Sequence, residues 1–266
     1  MTANRLKNQH NCGTIGKGVD DMQERYEEIV TLRSADCDML GTWRPGAVLE
    51  CMQETAGTHS ALLGLDRKTM DEMGICWVLS RLKVQFDRVP HVYERVHVET
   101  YPLPQRHLFF PRVHIFRDDA GHMIGSASAL WMLMDIESRR VTANETVSEK
   151  LPHIQGLQNP AGMPGTVRMD EGGTVEGVMI PRFTDLDLNR HVNNTKYLNW
   201  CQDALGMACM EEYEICAFTV NYEAEILPHM QVQTRLLHEG EAFAFAGADG
   251  EKSLFVLEGT LKKRMQ

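Results

Sequence analysis

The chain is predicted to be an α+β protein made of two copies of one unit, each a long helix packed on an antiparallel sheet. Three observations predict it. Residues 36–54 align without a gap on residues 185–203. Residues 84–91 are echoed, in the same order along the chain, by residues 220–229. In each half one helix-length apolar segment precedes a run of short, turn-bounded strand patterns, which is an α+β order.

The first repeat sets Asp36 on Asp185, Asp38 on Asp187 and Gln53 on Gln202, each pair 149 positions apart. The second sets Val84 on Val220 and Pro90 on Pro228; the later copy is two residues longer, in the stretch that holds Glu225. Two echoes in one order make duplication the reading of the chain.

In the first half a strand is expected over 26–34 and a helix over 45–63. Pro45 suits a first helical position and Gly64 a C-terminal stop. Val48, Cys51, Met52, Thr55, Leu62 and Leu63 supply its apolar face. Strands near 77–86 and 96–101 follow, then a hairpin over 112–134 that turns at 118–121. In the second half a strand over 174–183 leads into a loop at Asp185. A helix over 195–205 has Asn193 or Asn194 as N-cap and Gly206 at its end. Strands near 217–225 and 231–238 precede a hairpin of 242–246 with 253–262. The pattern gives a first domain at 24–147, a Pro- and Gly-rich linker at 148–173 and a second domain at 174–266. Residues 1–23 read as a disordered leader. A sheet wrapped around the helix and a flat two-layer sandwich both satisfy this pattern.

Composition narrows the function classes. The 266 residues carry a net charge of −10 and 43% hydrophobic residues, enough for one or two real cores. The acidic balance speaks against nucleic acid as a partner. No apolar run approaches the roughly 20 residues of a membrane span, and residues 1–23 lack the apolar stretch of a secretory signal; a cytoplasmic location is expected. Seven cysteines, an odd number without C-x-x-C spacing, suit neither a disulfide frame nor a zinc site. His59, His91, His97, His107, His114 and His229 are scattered; no metal and no organic cofactor is expected.

The densest polar cluster is Asp185, Asp187, Asn189, Arg190, His191, Asn193 and Asn194, just before the second helix. In an extended loop Asp187, Asn189 and His191 would face one side. Such a carboxylate, amide and imidazole suit acyl transfer. The carboxylate activates water or attacks, the imidazole moves protons near neutral pH, and the amide or the helix N–H groups hold a developing oxyanion. The first copy has Asp38, Leu40 and Thr42 at these positions. It keeps the acid and loses the other two, so one competent site is expected, in the second half.

Residues 183–200 closely resemble the signature of acyl-acyl carrier protein (acyl-ACP) thioesterases of the plant and bacterial type. The resemblance runs from about residue 26 to 263 and includes Trp43-Arg44-Pro45 and residues 220–225. It implies a tandem (double) hotdog fold with catalysis in the C-terminal copy. By resemblance the family's Asp-x-Asn-x-His triplet falls on Asp187, Asn189 and His191, and its further Glu on Glu225. The plant enzymes carry a Cys directly after that Glu; here it is Ile226, which argues against a Cys nucleophile and leaves Asp187 or an activated water as the attacker. Asn189 then orients His191 or holds the carbonyl oxygen, and Glu225 orients water or the other polar groups.

The resemblance implies hydrolysis of fatty acyl thioesters, with acyl carrier protein bearing the acyl-phosphopantetheine substrate as partner. An acyl channel is expected in the first half, around Met52, Met70 and Met73. Arg81, Lys83, Arg88 and residues 262–264 are the basic candidates for docking the carrier. An acyl-CoA thioesterase, a hotdog hydratase or dehydratase and a non-catalytic acyl-thioester-binding protein are the alternatives. Monomer and homodimer are both compatible with two fused halves.

Overall fold

Pro45 occupies the first position of the longest helix, α1 (Pro45–Leu62), and Gly64, at φ +67°, closes it. Both ends follow local chemistry, a fixed φ at one and freedom from a Cβ at the other. The computed structural model describes residues 24–152, 154, 156–169 and 173–264; the leader expected over 1–23 lies outside them. Helices α2 (Arg67–Glu72), α3 (Glu145–Lys150), α4 (Lys196–Leu205) and α5 (Met207–Glu212) are shorter. No helix among the described residues is long and apolar enough to cross a membrane.

The strands are β1 (Tyr26–Thr31), β2 (Ile75–Phe86), β3 (Arg95–Pro102), β4 (Phe110–Arg117), β5 (Met123–Asp135), β6 (Val141–Thr142), β7 (Thr174–Met179), β8 (Tyr213–Tyr222), β9 (Val232–Glu239), β10 (Ala242–Asp249) and β11 (Lys252–Lys263). They form one antiparallel sheet in the order β1-β3-β4-β5-β2-β8-β11-β10-β9-β7, with the short β6 paired to β5. From each edge inward the order is the same: first, third, fourth and fifth strand of the half, then the second.

The halves meet where β2 pairs with β8. Arg81 lies opposite Asn221 and Gln85 opposite Ala217. The middle pair joins Lys83 to Thr219, residues related by the 136-residue offset that relates Val84 to Val220. A local two-fold therefore passes through this pair, and the contact is isologous within a single chain. The core is shared as well: Trp43, Val48 and Met52 belong to one apolar cluster with Tyr197, Trp200, Val220 and Phe255.

Helix α1 is enclosed. Residues 45–49, Met52, Thr55, Ala56 and His59 are all buried. His114 on β4 donates from Nε2 to the Met52 carbonyl at 3.1 Å, and Thr55 donates to Glu28 on β1 at 2.7 Å. Polar ties from two strands thus satisfy buried groups around the helix. Helix α1 also crosses α4 closely. A Cβ on Gly46 would lie 2.3 Å from Asn199 Oδ1 and 3.2 Å from the Thr195 carbonyl, and Lys196 pairs with Glu50 across the crossing at 3.2 Å.

Several expectations need correction. Leu62, placed on the apolar face of α1, is exposed. The β8 strand ends at Tyr222, so Glu225 sits beyond it in irregular chain. Neither Asn193 nor Asn194 caps α4; Thr195 is its N-cap, and Asn193 Oδ1 accepts from the Thr195 amide at 3.0 Å. In the segment between the halves, residues 148–150 close helix α3, and Leu151, Ala161 and Val167 are buried. The repeat keeps its 136-residue offset beyond the strands. Asp87 and Arg88 amides both reach the Ile124 carbonyl, as Glu223 and Ala224 amides both reach that of Leu254. Trp43 donates to the Pro90 carbonyl as Val192 does to that of Ile226. Glu225 therefore corresponds to Val89, and the two extra residues follow Ile226.

Two glycines in α1 test this packing. Gly46→Val forces the α1–α4 crossing apart and is expected to cost about 1–3 kcal/mol. Gly57→Ala, with nothing within 4 Å of the added Cβ, is expected to stabilise by about 0.5–1 kcal/mol. Urea unfolding midpoints check both signs.

Candidate active site

The loop from Asp185 to Asn194 is a tight turn held by one side chain. Asp187 Oδ1 accepts from the Asn189 amide at 2.8 Å and the His191 amide at 3.2 Å. The backbones of Asp187 and His191 pair at 2.8 Å, and the Arg190 amide donates to the Asp187 carbonyl at 3.0 Å. Arg190 accordingly adopts φ +63°. The extended-loop alternation expected from the sequence is thus replaced by a turn: Asp187 and His191 face each other across it, and Asn189 sits at its tip.

The first half builds the same turn. Asp38 Oδ1 accepts from the Leu40 and Thr42 amides, both at 2.9 Å, and Gly41 has φ +83° where its partner Arg190 has +63°. The acid common to both copies is therefore explained by the loop itself, an Asx-type tie between side chain and backbone. What differs is the rest. In the first half Asp38 Oδ2 accepts from Arg264 at 2.8 Å, and the same guanidinium donates to Thr42 and pairs with Glu214 at 3.8 Å. The residue that follows the C-terminal strand β11 fills that position. In the second half Asp187 Oδ2 makes no hydrogen bond or ion pair among the described residues.

The remaining residues converge on this open turn. His191 Nδ1 lies 3.5 Å from Glu225 Oε1, and the other carboxylate oxygen of Glu225 is held by Arg139. His191 Nε2 has no partner among the described residues. Asn189 Oδ1 accepts from Arg67 at 3.1 Å, which fixes the amide's orientation; it makes no bond to His191, so that part of the expectation is not met. Ile226 is fully buried in the core, whereas Glu225 is exposed. The residue after the glutamate points away from the site.

Sequence reasoning missed Arg67 and Arg139. Both come from the first half, Arg67 from the start of α2 and Arg139 from the turn between β5 and β6, where it adopts φ +57°. No local pattern marks either one. Cys76 is a further residue that no local pattern marks. It lines the cavity described next and is within electrostatic reach of Arg139 and Glu225, but burial pushes its thiol up, against a standing thiolate. The six described cysteines are all free.

A cavity of about 280 Å³ opens beside Asn189 and runs into the first half between α1, α2 and the sheet. Ala56, Met70, Ile75, Trp77, Phe110 and Trp131 give it an apolar wall. Of the expected methionines, Met70 lines it, Met52 lines a smaller adjoining void, and Met73 lines neither. The expected docking cations do not line this cavity, and four of them are engaged elsewhere. Arg88 pairs with Glu94 at 2.8 Å, Lys263 with Glu212 at 3.1 Å, Lys262 bonds the Asp87 carbonyl, and Arg264 is half-buried in the first-half turn.

A duplicated helix-and-sheet unit, with one of two equivalent loops open to an apolar cavity, defines a tandem hotdog protein with a single polar site. The N-terminal domain model of the acyl-ACP thioesterase family matches residues 23–149 and its C-terminal domain model residues 172–249. The chain belongs to the acyl-ACP thioesterase family. Among its relatives, the chloroplastic palmitoyl-acyl carrier protein thioesterase of Cuphea hookeriana is 28% identical over 215 residues, 75% of this chain and 51% of that protein. The chain spans about half the length of the curated relatives it matches. The 12:0-ACP thioesterase from Umbellularia californica superposes with a TM-score of 0.81 at 21% identity, over 94% of this chain and 100% of that one. An acyl-ACP thioesterase from Bacteroides thetaiotaomicron does so at 0.81 and 19%, over 92% and 100%. These two likenesses establish the fold.

Arg264 supplies a test of the closed copy. Arg264→Ala strips Asp38, Glu214 and Thr42 of a half-buried cation and is expected to lower stability by about 2–3 kcal/mol, read from the urea midpoint, with the second-half site unaltered.

Proposed function

We propose that the chain hydrolyses fatty acyl thioesters at the Asp187 turn, with acyl-ACP as substrate. The observation that carries this reading is a single turn that bears a free carboxylate oxygen and an oriented imidazole and whose tip, Asn189, lines an apolar cavity. Glu225, anchored by Arg139, faces Nδ1 of His191. An Nδ1–H directed at that carboxylate leaves the Nε2 lone pair for proton transfer. Asp187 Oδ2, the oxygen that the turn does not use, attacks the thioester carbonyl or takes the proton of an attacking water. With water as the attacker, its proton passes by way of Asp187 Oδ2 and His191 Nε2 to the thiolate as the C–S bond breaks. With Asp187 as the attacker, the thiolate leaves first and a water then hydrolyses the acyl–Asp187 anhydride, its proton taken by His191 Nε2 and passed to the thiolate. Asn189 lines the cavity, and Arg67 on its Oδ1 turns the NH₂ group toward a carbonyl oxygen entering there.

The acyl chain lies in the first-half cavity while its thioester meets the second-half loop. Arg67 and Arg139, both about half exposed, are the cations beside the mouth and replace the basic candidates named from the sequence. Their charge suits the phosphate of a phosphopantetheine arm and an acidic carrier. A cytoplasmic location and a monomeric or homodimeric state belong to the same proposal.

Free-thiol release from acyl-ACP and acyl-CoA over a range of chain lengths tests the reading. Thiol release is expected, whereas a change in enoyl absorbance without thiol would contradict it. Asp187→Asn keeps the Oδ1 acceptor of the turn and is expected to lose about 10²–10⁴-fold in kcat with little change in stability. Asp187→Ala is expected to lose activity and also about 1–2 kcal/mol of stability, because two backbone amides lose their partner. Arg139→Met is expected to lower kcat about 10-fold or more with KM little changed, since it acts through Glu225 and His191; an unchanged kcat would remove it from the site.

A further inference from the structure

The two equivalent turns also differ on their outer face. Their equivalence extends upstream, since the Arg33 amide donates to Asp36 Oδ2 at 2.9 Å as the Arg182 amide does to Asp185 Oδ2 at 2.8 Å. At the same 149-residue offset the closed copy has Thr31, Arg33, Ser34 and Gly41 where the open copy has Ile180, Arg182, Phe183 and Arg190. Ile180 and Phe183 are 56% and 91% exposed. The Arg33 guanidinium is neutralised by both carboxylate oxygens of Asp36, at 2.9 and 2.8 Å. Arg182 and Arg190 are exposed, and neither forms an ion pair among the described residues. Leu188 and its counterpart Met39 are both exposed, so Leu188 distinguishes nothing.

The turn itself calls for none of these four residues. The closed copy folds the same loop with a glycine at the left-handed position, the easier residue there, and with a serine in place of the phenylalanine. An isoleucine and an aromatic ring left in water forgo the gain of burial. Two guanidinium groups without counter-charge beside them favour an anionic partner. All four residues flank the loop that carries the site; Arg190 follows Asn189, which lines the cavity, and precedes His191. The whole chain carries a net charge of −10, so an acidic protein is repelled at long range and has to be held by a local patch. Arg67 and Arg139 are engaged with Asn189 and Glu225, whereas Arg182 and Arg190 remain available.

We propose that Ile180, Arg182, Phe183 and Arg190 dock the protein body of an acidic acyl carrier, the guanidinium groups meeting its carboxylates and the two apolar side chains packing against it. The proposal rests on the thioester-hydrolase reading and assigns that site's contact with the carrier. Phe183→Ser and Arg190→Gly transplant the closed copy's residues, and Arg182→Glu reverses the remaining charge; all three keep the backbone amides that fold the turn. The triple variant is compared with the unmodified chain on acyl-ACP and on acyl-pantetheine, which has the same thioester and no protein body. Its kcat/KM for acyl-ACP is expected to fall about 10- to 100-fold, mainly through KM, with that for acyl-pantetheine within about two-fold of the unmodified chain. Turnover of acyl-ACP by the unmodified chain is expected to weaken as salt rises from about 0.05 to about 0.5 M, and the variant to lose most of that dependence. A urea midpoint establishes that the variant folds.

Equal losses on both substrates, or an unchanged kcat/KM for acyl-ACP, would overturn the proposal. If no thioester is cleaved, equilibrium binding of acyl-ACP separates the two readings. Binding that the variant loses would uphold the docking surface while the hydrolase reading fails; binding that the variant keeps, or none to either chain, would overturn the surface itself. Sedimentation and vesicle binding test two other occupants of the patch. A dimer that the variant dissociates, or binding to anionic phospholipid vesicles that it abolishes, with the response to acyl-ACP unchanged, would assign the patch to a second copy or to a lipid surface and overturn the proposal.

Discussion

The pairing of β2 with β8 is the constraint on which the rest depends. It joins two open sheet edges into one continuous sheet, which removes the unpaired edge each half would otherwise present. The same contact fixes a two-fold through Lys83 and Thr219, and the two-fold brings α1 against α4. From that crossing follows the position of α2 and of the β5–β6 turn beside the second-half loop. Arg67 and Arg139 reach Asn189 and Glu225 only because the halves are locked in this register. The candidate site is thus a property of the duplicated pair: the loop comes from one copy, while the cavity and two positioning cations come from the other.

Duplication leaves two equivalent turns, and the chain treats them differently. Both are folded by an aspartate that accepts two backbone amides. This interaction is local and serves the turn wherever it occurs. In the first half the spare carboxylate oxygen and the neighbouring Thr42 are taken up by Arg264. In the second the spare oxygen stays open, beside an imidazole and a cavity. A residue shared between copies is here a mark of the backbone, and the residues that differ carry the distinct chemistry.

Much of the fold was legible because it is written locally. Pro45 and Gly64 delimit α1 through backbone conformation, and the turn at residues 118–121 follows from its acids and its glycine, at φ +82°. The strand order and the β2–β8 seam were not legible, since they rest on contacts between residues more than a hundred positions apart. The polar loop was found as a cluster, but its geometry was not: a left-handed Arg190 closes a turn where alternation suggested extended chain. Glu225 came through family resemblance alone, because it follows a strand as one acid among many. Arg67 and Arg139 gave no signal, as each is a single cation whose meaning comes from the element packed opposite.

The central claim is that one acyl thioester spans both halves, its carbonyl at the Asp187 turn and its chain in the first-half cavity. A crystal structure with a non-cleavable thioether analogue of acyl-pantetheine tests it most directly. The account predicts the carbonyl-equivalent carbon within reach of Asp187 Oδ2 and Asn189, and the chain running along the cavity past Trp77, Phe110 and Trp131. A chain lodged within the second half, or a head group bound at the Asp38 turn, would contradict it.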